Sequence, residues 1–386
     1  MDTPEHQMYE VIKHWKPEQR LLDIKDLMSL DDPYFKLFEK LYALTKKQCA
    51  KGPMRKNGEP CFIHPLNVVL NLKRAGVKDG LTLCIGLLHD IVEDRVDEYQ
   101  SSHKIKLEPE GVKCLRCYEK KMYYELHHEI KEHCSEKDRE ILIKAVMALT
   151  RTKRTFYYKS IADLFLIKDL DTKKRAIQIK LADRLHNILC IESFGKEQRI
   201  YECFKNMFIL NNAKKFIVEN YGKDILLTVP SKSITAKLFK KCCKATYDAF
   251  LRICSISLNK KTSEVKSMLH LAFRKFVFEK GGLWDITKFD AKEKHLMRLF
   301  QGVIRKYDAR LMLNYEMFNE REINEREYCK KFFADYKFND EEIQSIVYYK
   351  DAYALKEIIA KLLYDIDYVL PGFRVEDLSK KGKIRK

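Results

Sequence analysis

Apolar residues recur at intervals of three and four along most of the chain, which is the spacing of one face of an α-helix. Clear examples are "LNVVLNLKRAG" at 66–76, "REILIKAVMALT" at 139–150 and "AYALKEIIAKLLYDIDYVL" at 352–370. Gly76 and Gly222 stand where helix C-caps are expected. The low content of Gly (13) and Pro (9) argues against a β-sandwich or a long disordered linker. The pattern therefore predicts an all-α fold.

The helical pattern is interrupted at 220–237, "NYGKDILLTVPSKSITAK", where glycine, proline and two serines occur together. We therefore predict a helical lead-in at 1–39, a main domain at 40–222 and a helical, basic C-terminal region at 223–386. No apolar run reaches the roughly 18 residues of a membrane span, so no membrane partner is expected. The polar N-terminus does not resemble a secretory signal. We expect a cytoplasmic protein whose twelve cysteines are reduced.

The net charge of +18 suggests a polyanionic partner, either nucleotide phosphates or nucleic acid. Alternatively, the charge covers solvated helix faces, because basic residues occur along the whole chain. In the C-terminal region, "HLAFRKFVFEK" at 270–280 mixes basic and aromatic residues at helical spacing. Such a helix can bind RNA through stacking aromatics, or it can place those aromatics in the core. Nucleic-acid binding by this region stays open.

Three apolar segments carry side chains suited to binding a cation. His64 precedes Pro65, and proline suits the first turn of a helix. The segment 82–94, "TLCIGLLHDIVED", predicts an apolar helix that ends on a histidine and three carboxylates, and 177–191 is a second largely apolar helix that contains Asp183. Carboxylates beside histidine at the end of an apolar helix are costly unless they bind something.

Four of these residues form a candidate metal site: His64, His89, Asp90 and Asp183. Two neutral imidazoles and two carboxylates balance a divalent cation, and a nitrogen and oxygen donor set without thiolate fits Mn²⁺ or Fe²⁺ better than Zn²⁺. Such a cation polarises phosphoryl oxygens and generates hydroxide near neutral pH. Glu93 and Asp94, one helical turn further on, would orient or deprotonate the attacking water.

Two basic residues precede the first histidine in "RKNGEPCFIHP", residues 55–65. Arg55 offers a planar guanidinium and Lys56 a mobile ammonium, and both groups suit nucleotide phosphates. The turn expected at Asn57-Gly58 would bring the pair over a metal bound by His64.

"RKNGEPCFIHPLNVV", "LLHDIVED", "IKLADRLHN" and "MALTRTKRTFYYKSI" together resemble the hydrolase domain of the RelA/SpoT family, a branch of the HD superfamily, over residues of about 40–200. The resemblance implies an all-helical domain that holds one Mn²⁺ ion. It implies removal of the 3′-pyrophosphate from ppGpp or pppGpp, the nucleotides of the stringent response, which leaves GDP or GTP. It assigns catalysis to Glu93 and Asp94, and places Thr150 and Asn187 in the nucleotide pocket.

The chain departs from the family's usual pattern at Cys61, where a tyrosine is expected, and at Leu189, where an arginine is expected. Neither change removes a proposed metal ligand, but both affect substrate contacts. An NADPH 2′-phosphatase or another nucleotide phosphohydrolase is therefore an alternative. A second alternative is a nucleotide-sensing or nucleic-acid-binding regulatory protein with an inactive HD domain.

The span between Asp94 and Ala148 is longer than the resemblance requires, which predicts an insertion at about 97–138. The insertion concentrates metal-binding side chains, with two cysteines in C-x₂-C spacing. Candidate ligands of a second, structural Zn²⁺ are Cys114, Cys117, Cys134 and either His127 or His128. Alternatively, the segment is a plain helix with its histidines in water.

Overall fold

A computed structural model describes residues 16–379, apart from 51, 53, 56, 152–156, 229–230 and 312–315. Within this part the secondary structure is helical and no β-strand occurs, which confirms the predicted all-α fold. The described residues divide into two compact units. The site unit comprises 16–194 and 220–242, and the C-terminal unit comprises 195–219 and 243–379. How the chain divides by function stays a prediction.

The first nine helices in chain order are α1 (Ile24–Leu27), α2 (Phe35–Cys49), α3 (Ile63–Ala75), α4 (Gly80–Leu88), α5 (Ile91–Ser102), α6 (Pro109–Glu129), α7 (Glu136–Leu149), α8 (Tyr157–Phe165) and α9 (Leu170–Leu189). Six more follow: α10 (Lys196–Tyr221), α11 (Ile234–Ser257), α12 (Lys266–Glu279), α13 (Val303–Leu311), α14 (Glu316–Phe332) and α15 (Asp340–Tyr364). Short 3₁₀ turns connect several of them.

Helix α4 is the centre of the site unit. Its sequence, "GLTLCIGLL", is almost wholly apolar and every one of its residues is buried, as expected for a helix that is hydrophobic all round. It packs against α2, α3, α7 and α9. Gly86 allows the close approach of α3, because a Cβ at this position would lie 2.8 Å from Leu72 Cδ1. The end of α4 is thereby fixed against both helices that carry the other candidate ligands.

The single helix predicted over 82–94 is interrupted at His89 and Asp90, so that α4 ends at Leu88 and α5 begins at Ile91. The carbonyl of Gly86, which in an unbroken helix would accept the N–H of Asp90, accepts a hydrogen bond from His89 Nδ1 at 2.9 Å. A histidine side chain therefore competes with the backbone at the position where the helix breaks.

The long apolar pattern at 352–370 also ends early, since α15 stops at Tyr364. The side chain of Asp365 accepts the backbone N–H groups of Asp367 (3.1 Å) and Tyr368 (3.2 Å), which replaces the helix with an Asx-type turn. In the site unit, Gly76 terminates α3 in the left-handed conformation at φ +101°, as predicted.

No helix in the described part of the chain combines the length and the apolar character that crossing a bilayer requires.

The core of the C-terminal unit contains a buried network of charges. Lys350 is fully buried on α15 and forms ion pairs with Asp351 (2.7 Å) and with Glu325 of α14. Lys306 of α13 pairs with the same two carboxylates, each at 2.7 Å. Tyr307 adds a hydrogen bond to Asp351 at 2.8 Å. Two ammonium groups and two carboxylates thus neutralise one another and join three helices.

We expect Lys350→Met to lower the free energy of unfolding by about 3–5 kcal/mol, because it leaves buried carboxylates short of a partner. Urea denaturation followed by circular dichroism measures the change. The matched control is Lys330→Met, which removes an exposed ion pair with Asp340 and should change stability little. Equal stability of both variants would contradict a structural role for the buried network.

Candidate metal centre

Side chains from three parts of the site unit converge at the end of α4. His64 comes from the first turn of α3, His89 and Asp90 from the α4–α5 break, and Asp183 from the middle of α9. His64 Nε2 lies 3.2 Å from His89 Nε2, 3.3 Å from Asp90 Oδ2 and 3.4 Å from Asp183 Oδ1. His89 Nε2 lies 3.0 Å from Asp90 Oδ2 and 4.0 Å from Asp183 Oδ1. His64, His89 and Asp90 therefore form one group whose candidate ligand atoms all lie within 4.8 Å of one another, and Asp183 Oδ1 lies beside its two imidazoles.

The outer nitrogen of each imidazole already has a partner. Because a carbonyl can only accept, the bond to Gly86 places a proton on His89 Nδ1 and leaves the Nε2 lone pair of the neutral ring for a cation. His64 Nδ1 lies 2.8 Å from His186 Nδ1, so one of these two nitrogens donates. When His64 donates, its Nε2 lone pair is likewise left for a cation.

The two carboxylate oxygens of Asp183 have different contacts. Oδ2 pairs with Lys180 Nζ at 2.7 Å, while Oδ1 faces the histidines and accepts from Asn187 Nδ2 at 2.6 Å. Burial would raise the pKa of Asp183, but the charge of Lys180 holds that pKa well below its usual range. The carboxylate is therefore ionised and fixed in orientation.

The four inward atoms repel one another unless a positive charge lies among them. Burial opposes a charge on His89, but Asp90, by its charge and hydrogen bond, and Asp183 raise the pKa of His89 to about 9. Burial likewise opposes ionisation of Asp90, yet His89 and His64 lower its pKa. A divalent cation would take the place of that proton. Ligand bonds of about 2.1 Å put neighbouring donor atoms roughly 3.0–3.5 Å apart. The spacings of 3.0 to 3.3 Å among His64, His89 and Asp90 fit this range.

Glu93 and Asp94 lie in the first turn of α5, beside this cluster. Arg151 holds both oxygens of Glu93, through its backbone N–H (3.0 Å) and through guanidinium bonds of 3.2 and 3.3 Å. Burial raises the pKa of Glu93 despite Arg151, and Asp90 raises it further. Burial, followed by the charges of Asp90 and Cys61, raises the pKa of Asp94 to about 8.

Asp94 belongs to a second group of candidate metal ligands. Its carboxylate and the thiols of Cys49 and Cys61 have ligand atoms within 4.8 Å of one another. The hydrogen bond from Cys49 lowers the pKa of the Cys61 thiol to about 7, against the effect of burial and with help from Arg55. The same bond raises the pKa of Cys49. Cys61, where the resemblance leads one to expect a tyrosine, thus carries a thiol whose pKa is shifted towards neutral pH.

The predicted turn before His64 is present. Gly58 has φ +79° and donates its N–H to the Arg55 carbonyl at 2.8 Å. The turn brings Arg55 Nη2 to 3.1 Å from Asn187 Oδ1, which links the guanidinium through Asn187 to Asp183. Lys56 lies outside the described residues.

Thr150 follows α7 as its C-cap and is buried, and its hydroxyl donates to the Val146 carbonyl at 2.8 Å. This bond is a local, structural one. The contact of Thr150 with a nucleotide stays a prediction.

The zinc candidates of the insertion are not gathered as a site. Cys114 and Cys117 are exposed on α6, and the Cys134 thiol donates to the Ile130 carbonyl at 3.5 Å. His127 Nε2 accepts a bond from Arg139 at 2.9 Å, and His128 packs on the ring of Tyr124. Over the described residues, neither group of three or more candidate metal ligands contains any of these five side chains. A structural zinc ion stays a prediction.

The structure adds supporting residues that the sequence analysis did not single out: Lys180, His186, Arg151 and Cys49. Lys180 and His186 each lie three residues from Asp183, so helical spacing alone places all three on one side of α9. Arg151 follows the predicted Thr150 directly. Cys49, at the end of α2, gives no comparable signal in the sequence.

Comparison with known proteins gives one family and several relatives. Residues 61–188 match the family model of the HD domain. The chain is 28% identical over 179 residues to the guanosine-3′,5′-bis(diphosphate) 3′-pyrophosphohydrolase of Aquifex aeolicus, covering 46% of this chain and 21% of that protein. It is 32% identical over 146 residues to the probable enzyme of the same name from Mycoplasma pneumoniae, covering 38% and 17%. The chain thus spans about a fifth of the length of these relatives.

We expect alkylation of Cys61 by iodoacetamide to rise with pH around a midpoint near 7, because the thiolate is the reactive form. Cys49→Ala removes the stabilising hydrogen bond and should move the midpoint to higher pH. Peptide mass spectrometry follows Cys61, with the exposed Cys114 as a reference in the same digest. An unchanged midpoint in Cys49→Ala would show that Cys49 does not stabilise the thiolate.

Proposed function

We propose that this chain, whose residues 61–188 match the HD domain, is a metal-dependent phosphohydrolase that removes the 3′-pyrophosphate from ppGpp and pppGpp. The names of the relatives from Aquifex aeolicus and Mycoplasma pneumoniae support this choice of nucleotide. The products would be pyrophosphate and a guanine nucleotide with a free 3′-hydroxyl. Mn²⁺ is the proposed cation.

One observation carries the proposal: the Nε2 atoms of His64 and His89 and Oδ2 of Asp90 lie 3.0 to 3.3 Å from one another, and Asp183 Oδ1 lies 3.4 and 4.0 Å from the two imidazoles. Gly86, His186 and Lys180 occupy the outward-facing atoms of their partners. Buried acceptors directed at one another are costly, so the arrangement is best explained by a cation that all four bind.

A divalent cation held by His64, His89, Asp90 and Asp183 would polarise a phosphoryl oxygen and acidify water at the site. Glu93 cannot rotate freely, because Arg151 holds both of its oxygens, and it is the candidate base that orients water. Asp94 exchanges its proton near neutral pH, since its pKa is about 8, and it is the candidate donor to the departing ribose oxygen.

Arg55 is the candidate substrate-binding residue. Asn187 holds its guanidinium at 3.1 Å, and Asn187 itself donates to Asp183 Oδ1. The guanidinium therefore lies next to the proposed metal ligands and can bind a phosphate through two N–H groups. Lys56 and Thr150 are further proposed contacts, in accordance with the resemblance.

We expect purified protein with Mn²⁺ to release pyrophosphate from ppGpp, and EDTA to abolish the release. Glu93→Gln should lower kcat about 10²–10⁴-fold, since the variant keeps the shape of the side chain but cannot take a proton. Asp183→Asn should abolish both activity and Mn²⁺ binding, as measured by calorimetry, because it removes an ionised donor. Mn²⁺, Fe²⁺ and Zn²⁺ added back after EDTA establish the preferred cation.

The matched control is Glu98→Gln on the same helix α5, where Glu98 accepts a hydrogen bond from Gln48 at 2.9 Å. Its activity should equal that of the wild type. Phosphate release from NADPH, without turnover of ppGpp, would replace the proposed substrate. Mn²⁺ binding without turnover of either nucleotide would favour the sensing alternative and refute the enzyme.

We expect Arg55→Lys to raise the KM for ppGpp roughly 10-fold with a smaller change in kcat, since a lysine cannot make the forked contact. Steady-state kinetics separate the two parameters. Arg74→Lys, an exposed position at the end of α3, is the control and should leave both unchanged. A loss confined to kcat would mean that Arg55 positions Asp183 rather than substrate.

A further inference from the structure

The C-terminal unit contains a cavity of about 270 Å³ that the proposed hydrolase function does not use. It lies among the 3₁₀ turn at Leu296–Phe300, α13 and α14. Four cationic side chains line it, namely Arg298, Arg305, Lys306 and Arg321. Among the described lining residues, Glu325 is the one carboxylate.

The charge of Lys306 does not contribute to the net charge of the cavity. Lys306 and Lys350 share Glu325 and Asp351, so the two ammonium groups and two carboxylates cancel. The other cationic groups that line the cavity are the guanidinium groups of Arg298, Arg305 and Arg321.

The guanidinium group of Arg321 is incompletely hydrogen-bonded. Its Nη1 is buried and finds no hydrogen-bond partner among the described residues. Burial lowers the pKa of Arg321, and Arg305 lowers it further, while Asp308 and Glu320 act in the opposite direction. A desolvated guanidinium N–H beside a second guanidinium is costly unless an acceptor reaches it.

Arg298, which lines the same cavity, is held in place by two aromatic rings. Its guanidinium lies over the ring of Tyr328 at 4.4 Å and over the ring of Phe289 at 5.3 Å. Tyr328 is itself fixed, since its hydroxyl donates to the carbonyls of Lys294 (2.8 Å) and His295 (3.0 Å). A guanidinium held in this way loses little conformational entropy when it binds an anion.

We propose that this cavity is a second ligand site that binds a phosphate or diphosphate group. Several guanidinium forks facing one space suit an anion with several oxygens and more than one negative charge. The volume equals that of about nine water molecules at roughly 30 Å³ each, which accommodates a diphosphate. The group comes either from free inorganic pyrophosphate or from a nucleotide. The site is independent of hydrolysis in the other unit.

Titration calorimetry with the full chain in EDTA tests the site, because EDTA removes any cation that could hold phosphate at the HD domain. Sodium pyrophosphate, phosphate and GDP are titrated separately. We expect one saturable site, weakened about 10- to 100-fold in both Arg321→Gln and Arg298→Gln, since each loses a charge-assisted hydrogen bond. Arg321→Lys should bind with intermediate strength, because it keeps the charge but not the fork.

The matched control is Arg326→Gln, which replaces an arginine of the same helix α14 that does not line the cavity. It should bind as the wild type does. Stronger binding of pyrophosphate than of GDP identifies the inorganic anion as the ligand, and the reverse identifies a nucleotide. Equal binding by wild type, Arg321→Gln and Arg298→Gln would overturn the proposal, as would no binding of any of the three anions.

Thermal melting of the ligand-free variants separates binding from folding. Arg321→Gln should melt close to the wild type, because Nη1 has no hydrogen bond to lose among the described residues, and loss of the charge removes repulsion from Arg305 together with attraction to Asp308 and Glu320. A marked fall in the melting temperature would assign Arg321 a structural role and overturn its part in the site.

Discussion

The site unit depends on one electrostatic constraint: acceptor atoms of His64, His89 and Asp90, with Asp183 beside the two imidazoles, lie close together and need a positive charge between them. Two helices and one helix break must meet for this to occur, and the apolar α4 provides the meeting point by packing against α2, α3, α7 and α9. The hydrophobic effect brings these segments together. This packing brings acceptor atoms close to one another, which is unfavourable. A proton on His89 or a bound cation relieves their repulsion.

Residues around the candidate metal centre fix the tautomers and orientations of the side chains that form it. Gly86 fixes the tautomer of His89, while Lys180 and Asn187 occupy Asp183 so that one oxygen remains directed inward. Arg151 does the same for Glu93. Each of these contacts converts a flexible side chain into one with a single useful orientation, which lowers the entropy lost on binding.

In the C-terminal unit, buried charges of opposite sign neutralise one another. Lys306 and Lys350 are matched by Glu325 and Asp351, so this network holds helices together without requiring a ligand. Beside it, Nη1 of Arg321 finds no acceptor within the described chain. The contrast between matched lysines and an incompletely satisfied arginine is what separates a structural core from a candidate binding surface.

The sequence by itself determined the helical class and indicated four candidate metal ligands, because both follow from short-range patterns: apolar spacing, a His-Pro helix start and carboxylates within apolar segments. It also indicated the turn before His64. It could not place the break after Leu88 or the early end of α15, since His89 and Asp365 compete with the backbone for hydrogen bonds through side-chain geometry. Nor could it pair Cys49 with Cys61, Glu93 with Arg151 or Arg55 with Asn187. These contacts join residues 12 to 132 positions apart, and only the packing of the helices decides which distant side chains meet.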